Sequence, residues 1–314
     1  MKKAHLLFLC LTVSGALLAD STWNPLPRTR PSFYRGIYVN YYSAENQKRL
    51  ASLIKNASGA GVNVFVVDVQ PSANGECPIP ANHVAMIREA DIHPVARIVC
   101  FDRGLTKLPV EAGTIESIYQ LAEASAKAGF KEIQLDYIRF ADTLLTTYHG
   151  KDVALDPEIK YAFIKSLIGG ASERVKSYEV VISADIFGRI PWVSPDRHDV
   201  IGQRMEVFDS VCDVICPMAY PSHYCDSYQN TPYRTVYSTS VKARMRATRA
   251  EIVSYIQSFR MNIEGSGLPY DEYIRQQLDA VHNAGISGFI LWNARSDYEV
   301  AFGVMRAYYM IRTQ

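Results

Sequence analysis

Eight apolar runs, most of them rich in Val and Ile and alternating with segments of helical periodicity, constrain this chain more than any other feature. The runs fall at 35–40, 62–70, 94–102, 132–140, 180–188, 212–220, 252–259 and 287–293. Several are nearly continuous in apolar residues, which is the pattern of parallel strands buried on both faces. Between them, Leu50, Leu53 and Ile54 mark one amphipathic helix, Ile115, Ile118 and Leu121 a second, and Ile274, Leu278 and Val281 a third. Asp156-Pro157-Glu158 reads as a helix start, with a capping Asp, Pro in the first turn and an acid facing the helix dipole. Three helical segments end in the same step, Ala60-Gly61, Ala128-Gly129 and Ala284-Gly285, and each is soon followed by a strand. Eight such units in 314 residues predict a single α/β domain, a (β/α)8 TIM barrel. A doubly wound open sheet is the alternative, but no Gly-rich phosphate loop follows any strand, and no nucleotide cofactor is expected.

The N-terminus reads as a targeting segment. Lys2 and Lys3 precede an almost unbroken apolar run at 6–18, and Ala19 offers a small residue before Asp20. The run is shorter than the roughly 20 residues a membrane helix needs. The expected organisation is a signal peptide at 1–19, a leader at 20–34 and the barrel at 35–311, with an exported mature protein that has no membrane span. Cleavage leaves 31 Lys and Arg against 32 Asp and Glu, so the chain has no electrostatic footprint for nucleic acid. It also leaves five cysteines, an odd number, so at least one is unpaired within the chain. An exported compartment permits a disulfide between Cys77 and Cys225. No Cys or His cluster has zinc spacing, and His223 has no companion ligand, so no metal is expected.

In a barrel of this kind the chemistry lies at the C-terminal ends of the strands. The polar residues there are Tyr38, Asp68, Gln70, Asp102, Arg103, Gln134, Asp136, Arg139, Asp185, Tyr220, His223, Gln257, Trp292 and Asn293. A charge inside a strand of Ile, Val and Leu needs a reason, because an unpaired buried carboxylate is costly. In "EIQLDYIRF" the period of two puts Gln134 and Asp136 on one face; in "VVISADIFG" Val181, Ser183 and Asp185 share a face. If both faces point into the barrel, two carboxylates converge at its mouth, the minimum equipment for cleaving a glycosidic bond. The purely structural alternative is a buried Asp136–Arg139 ion pair, or Asp185 accepting backbone hydrogen bonds. The Tyr-rich loop at 220–237, with Ser222, His223 and Asn230 interleaved, suits sugar rings, whose C–H faces stack while their hydroxyls seek polar partners.

"GFKEIQLDYIRF" at 129–140, "SADIFG" at 183–188, "IGQ" at 201–203, "DVICPMAYPSHY" at 213–224 and "FILWNARSDY" at 289–298 occur in one order. Together with "RGIYVN" and "ARIVCFD" they resemble a bacterial glycoside-hydrolase (β/α)8-barrel domain family that is similar to α-amylase-type barrels. The resemblance implies that Asp136 is the nucleophile and Asp185 the acid/base, with Tyr220, His223, Gln257 and Trp292 lining the sugar site; Tyr38, Asp68, Arg139 and Asn293, at the same strand ends, are expected to bind substrate beside them. The first reading is an exported retaining or inverting hydrolase that acts on a cell-envelope or extracellular polysaccharide. The chain departs from the family pattern in the loop "QPSANGE", at Ala141 and in "YIQSF" on the seventh strand, where a Trp and an acid are usual. A non-catalytic carbohydrate-binding barrel is the second reading.

Overall fold

The computed structural model describes residues 29–70, 75–111 and 113–312. The expected signal peptide, and most of the leader, lie outside the described residues. Eight parallel staves form a closed barrel: β1 Tyr34–Val39, β2 Val64–Asp68, β3 His93–Val99, β4 Glu132–Asp136, β5 Val181–Phe187, β6 Val214–Met218, β7 and β8 Gly288–Trp292. β7 is in two pieces, Glu251–Ile252 and Ser254–Gln257, interrupted at Val253. The ring closes where β1 pairs with β8, Tyr34 opposite Gly288 and Ile37 opposite Leu291. Crossover helices follow the strands: α1 Gln47–Ser58, α2 Ala81–Glu89, α3 Thr114–Ala128, α4 Pro157–Arg174, α5 Met205–Asp209, α6 Pro232–Arg246, α7 Tyr270–Ala284 and α8 Glu299–Arg312. Among the described residues no helix is long and apolar enough to cross a membrane.

Local chemistry accounts for the boundaries. The Asp156 carboxylate accepts from the Glu158 N–H, with Pro157 in the first turn of α4. Gly129 and Gly285 end α3 and α7 in the left-handed conformation, which glycine adopts without penalty. The fourth strand is shorter than its apolar run, ending at Asp136 because Tyr137 takes a φ of 54°. A small sheet that the periodicity does not reveal (Lys107–Leu108, Thr146–Tyr148, Lys151–Val153) is built from the excursions after β3 and β4. Its strands are too short to carry a period.

Two apolar clusters divide the interior. One lies between strands and helices and includes Phe65, Leu135, Ile182, Leu278 and Leu291. The other fills the barrel with Val64, Val66, Val95, Val181, Tyr255 and Ile290. Polar residues interrupt this inner cluster, and β4 supplies them at successive levels. Glu132, at the N-terminal end, accepts from the Tyr34 hydroxyl at 2.8 Å and lies 3.1 Å from His93 Nε2. Gln134, one level up, accepts from the Tyr255 hydroxyl at 2.6 Å. Asp136 is at the mouth.

All five described cysteines are free, so the pairing of Cys77 with Cys225 that an exported compartment permits is not formed. Cys77 Sγ is directed at the Ile79 carbonyl, and Cys225 is exposed beside Ser227.

Candidate active site

The mouth of the barrel divides into a charged arc and an aromatic arc. Four consecutive staves present Asp68, Arg97, Asp136 and Asp185. The register brings them together, since Asp68 pairs with Arg97 across β2–β3, and Leu135 with Ala184 one step below the two acids on β4 and β5. Arg97 is buried and donates twice to Asp136 Oδ2, from Nε at 3.0 Å and Nη2 at 2.6 Å. Its Nη1 lies 3.4 Å from Asp68 Oδ2, and Nε 4.0 Å from Asp185 Oδ2. Asp136 Oδ1 accepts from the Tyr137 N–H at 2.5 Å, so both of its oxygens are held. The positive φ at Tyr137 marks a backbone conformation that a bulky residue rarely adopts, immediately after this acid.

Asp185 is in a different environment. It is 1% exposed, and its Oδ1 has no hydrogen-bond partner. Burial pushes its carboxyl well above the usual carboxylate range; the neighbouring Asp136 charge and a hydrogen bond to Asp136 push the same way, and Arg97 opposes them only in part. Asp185 is therefore the acid that holds its proton more tightly than an ordinary carboxyl, and Asp136 the one paired with a cation. Desolvation raises the Asp68 carboxyl as well, against Arg97 and the Tyr38 hydroxyl, which donates to it at 2.9 Å.

The aromatic arc comes from β1, β6 and β8. The Tyr38 and Trp292 rings are 3.9 Å apart between centroids, with the Arg97 guanidinium 5.6 Å and 5.1 Å from their centres. Tyr220 is 6.5 Å from Trp292. A cavity of about 400 Å³ opens over Asp136 and Asp185, walled by Tyr137, Tyr220, His223 and Trp292 among others. Phe187 and Gly188 form its lip. A side chain at Gly188 would collide with the Met218 carbonyl and the Tyr224 hydroxyl, so glycine lets β5 leave the barrel against β6. Among the described residues no group of three or more His, Cys, Asp or Glu is placed to hold a metal ion.

Of the residues expected at the site, Asp136, Asp185, Tyr220, His223 and Trp292 line this cavity. Tyr38 and Asp68 stand behind it, on Arg97. Arg139 is not the partner of Asp136, contrary to the structural alternative raised from sequence. Its Nη1 donates to the Phe140 carbonyl and Nη2 to the Asp102 carbonyl, and its guanidinium stacks on Tyr137 and Phe187. The register favours Arg97 because its side chain projects into the barrel, whereas Arg139 follows the turn at Tyr137. Gln257 is fully buried and committed elsewhere: Oε1 accepts from the Ser222 N–H, and Nε2 donates to the Phe259 and Met261 carbonyls. Asn293 faces a neighbouring cavity and bonds the Ser258 carbonyl.

Two residues escaped the sequence reading. Arg97 is legible in "HPVARIV", where it shares the period-two face of Val95, but the polar residues that end this apolar run are Asp102 and Arg103, beyond the strand. Gln203, in the "IGQ" motif, accepts from the Phe187 N–H and donates to the Ile138 and Asp185 carbonyls, tying together the chain after both acids. Its spacing from those strands carries no local signal.

Residues 109–298 match the model of a family described as "Putative glycosyl hydrolase domain". Among solved structures, the chain is similar to the glycoside hydrolase domain of PgaB (BpsB) from Bordetella bronchiseptica. They share 11% identity at a TM-score of 0.63, over 87% of this chain and 98% of that one. It is also similar to the endo-β-1,4-mannanase of Thermotoga petrophila (12%, TM-score 0.62, 90% and 77%). A third similar structure is the spore cortex-lytic enzyme SleL of Bacillus megaterium QM B1551 (12%, TM-score 0.59, 90% and 75%). At these identities the likeness is one of fold. No curated protein matches. The likeness to α-amylase-type barrels is a loose analogy.

Proposed function

The chain belongs to the glycosyl hydrolase domain family whose model it matches, and from that premise we propose that it hydrolyses a cell-envelope or extracellular polysaccharide, using Asp185 as proton donor and Asp136 as nucleophile. The observation that carries this reading is the contrast between two neighbouring acids. One carboxyl pairs with a guanidinium, and the other is fully buried with an oxygen that has no partner, an environment that pushes it well above the usual carboxylate range. Pairs of acids whose environments push them apart in this way supply an acid and a base in one site. In the step, Asp185 gives its proton to the glycosidic oxygen as that C–O bond breaks, and Asp136 takes the anomeric carbon. Water then attacks that carbon, the bond from the carbon to Asp136 breaks and restores its carboxylate, and the water's proton passes to Asp185. The two carboxyls flank the same Arg97 nitrogen, Nε being 3.0 Å from Asp136 Oδ2 and 4.0 Å from Asp185 Oδ2, so the anomeric carbon of an entering sugar has to lie between them. The Asp185 oxygen without a partner is the one free to turn toward the glycosidic oxygen. The Tyr220 and Trp292 rings supply faces for the sugar to stack on.

One observation favours the second reading, a barrel that binds carbohydrate without cleaving it: both Asp136 oxygens already accept hydrogen bonds, which weakens a nucleophile. Reducing-end release from a broad polysaccharide panel separates the two. The hydrolase reading expects turnover by the wild type, and a fall of about 10²–10⁴-fold in Asp185→Asn on a substrate with a poor leaving group. A wild type inert on every polysaccharide, yet retarded in a polysaccharide gel, would establish the binding barrel instead.

A further inference from the structure

The chain is close to neutral as a whole, yet α6 and its flanks are strongly basic. Between 227 and 250 there is no Asp or Glu, while Arg234, Lys242, Arg244, Arg246 and Arg249 all fall in that stretch. Two of these five cations are spent inside the fold. Arg246 pairs with Glu206 of α5 and donates to the Ile190 and Val193 carbonyls. Arg249 donates to the Asp209 and Cys212 carbonyls. The nearby acids are spent as well: the Asp209 carboxylate accepts from the N–H groups of Thr248, Arg249 and Ala250, and Asp279 of α7 pairs with Arg275. Arg234, Lys242 and Arg244 are exposed and make no ion pair among the described residues. The Arg234 guanidinium lies 4.6 Å from the centre of the Tyr228 ring, and Lys242 Nζ 4.8 Å from that of Trp192, contacts that hold the cations without neutralising them.

Helical period sorts the rest of this segment. Thr235, Val236, Thr239, Ser240 and Ala243 are buried against the barrel. At about 100° per residue, Arg234, Val241 and Met245 fall on one outward line, with Tyr237 and Arg244 to one side and Lys242 to the other. Met245 is 76% exposed, Tyr237 is exposed and Val241 half-buried. An apolar ridge thus runs along the outside of α6, with a cation at its start and on either side. The three cations spread over an arc of roughly 160°, too wide to close on one anionic group and suited to a plane of many charges.

We propose that the outer face of α6 is a docking surface for an anionic lipid bilayer, on which the barrel lies on its side. Arg234, Lys242 and Arg244 meet the negative headgroups, while Tyr237, Val241 and Met245 enter the boundary between headgroups and acyl chains, as apolar residues do in helices that bind in the plane of an interface. A soluble acidic polymer would satisfy the cations and leave the Met245 side chain in water, whereas a lipid surface removes it from water. A crossover helix lies alongside the staves, so a barrel seated on α6 opens its mouth along the bilayer rather than into it. The docking surface is separate from the cleft and does not depend on whether the barrel cleaves sugar.

The test is sedimentation of the full chain with phosphatidylcholine vesicles, with and without about 30% phosphatidylglycerol. A Lys or Arg held near an anionic leaflet strengthens binding by about five-fold. The wild type is therefore expected to bind the anionic vesicles about ten-fold or more tightly than the neutral ones, with the preference shrinking as salt is added. Arg234→Gln, Lys242→Gln and Arg244→Gln combined should bring the two within about two-fold; all three side chains are exposed, so the fold tolerates the change. Met245→Ser should weaken binding to the anionic vesicles by about three-fold or more at unchanged melting temperature, a loss that charge alone does not produce. Wild type and variants carry the same N-terminal run at 6–18, so differences between them report α6 alone. Equal binding to both vesicles, or a preference that survives the triple substitution, would overturn the docking surface. Anionic-vesicle binding indifferent to Met245→Ser, with both proteins retained alike on polyglutamate, would assign the face to an acidic polymer instead. Vesicle binding by a barrel inert on every polysaccharide keeps the surface and removes the hydrolase reading, and cleavage without vesicle binding does the reverse.

Discussion

Neutralising Asp136 leaves the Arg97 guanidinium with only Asp68 at 3.4 Å and Asp185 at 4.0 Å. Breaking one side of a buried pair costs about 3–5 kcal/mol, so Asp136→Asn should lose stability as well as turnover. Activity must then be scored per folded molecule, by denaturant titration beside kinetics. Arg97→Gln in the same chain should recover part of the lost stability, since it removes the stranded cation. A double variant no more stable than Asp136→Asn alone would show that the pair is not the source. Asp185 gives a prediction with the opposite sign. Its folded form keeps a proton at pH values where the unfolded chain has lost it, so the folded state binds more protons and stability falls as pH rises above the ordinary carboxylate range. Asp185→Asn removes that dependence. Its melting temperature should match the wild type in acid and exceed it increasingly toward alkaline pH. A gap that stays constant with pH would contradict a raised Asp185.

At the scale of elements, the loops over the cleft depend on glutamines rather than on their own packing. Gln277 of α7 accepts from the Gln257 N–H at 2.8 Å and donates to its carbonyl at 2.9 Å, fixing the end of β7. The Gln257 side chain in turn bonds the loop after β6 through Ser222 and the loop after β7 through Phe259 and Met261. Gln257→Leu should therefore cost about 1–3 kcal/mol in unfolding free energy, because buried backbone groups lose their partners. Sugar affinity should weaken as the His223 and Phe259 wall loosens. Weaker binding with unchanged stability, read by urea melts beside titration, would instead place the amide directly on the sugar. The sequence marked Gln257 as a polar strand end and so as a sugar ligand. Its period shows which face it is on, but not that two loops reach back to claim it.

At the scale of the whole molecule, everything at the mouth relies on the seam between β1 and β8, where the first strand meets the last. A side chain at Gly36 would approach Ile290 Cγ1 to 2.9 Å and the Phe289 carbonyl to 3.1 Å, and one at Gly288 would collide with the Tyr34 backbone. Glycine at both positions lets the staves approach. Gly36→Val should overpack the seam by about 1–3 kcal/mol, with the loss appearing as one cooperative transition in guanidinium chloride. A separate early transition confined to the seam would show that the barrel does not unfold as a unit.

What the sequence determined by itself is what repeats locally. Strand period set the barrel-facing side of Asp136 and Asp185, and helix caps such as Asp156 and Gly129 set where the crossovers begin and end, because each depends on residues a few positions apart. Only the tertiary structure decided the chemistry of those acids. Arg97 reaches Asp136 across 39 residues of chain, and Gln203 ties the exits of β4 and β5 together. The Asp185 carboxyl is pushed up because closure of the ring removes water from it. The neighbouring cavity that Asn293 faces likewise exists only where the loops after β7 and β8 meet beside Trp292. Burial and charge pairing are properties of the closed barrel, set by which strands become neighbours, and no spacing along the chain records them.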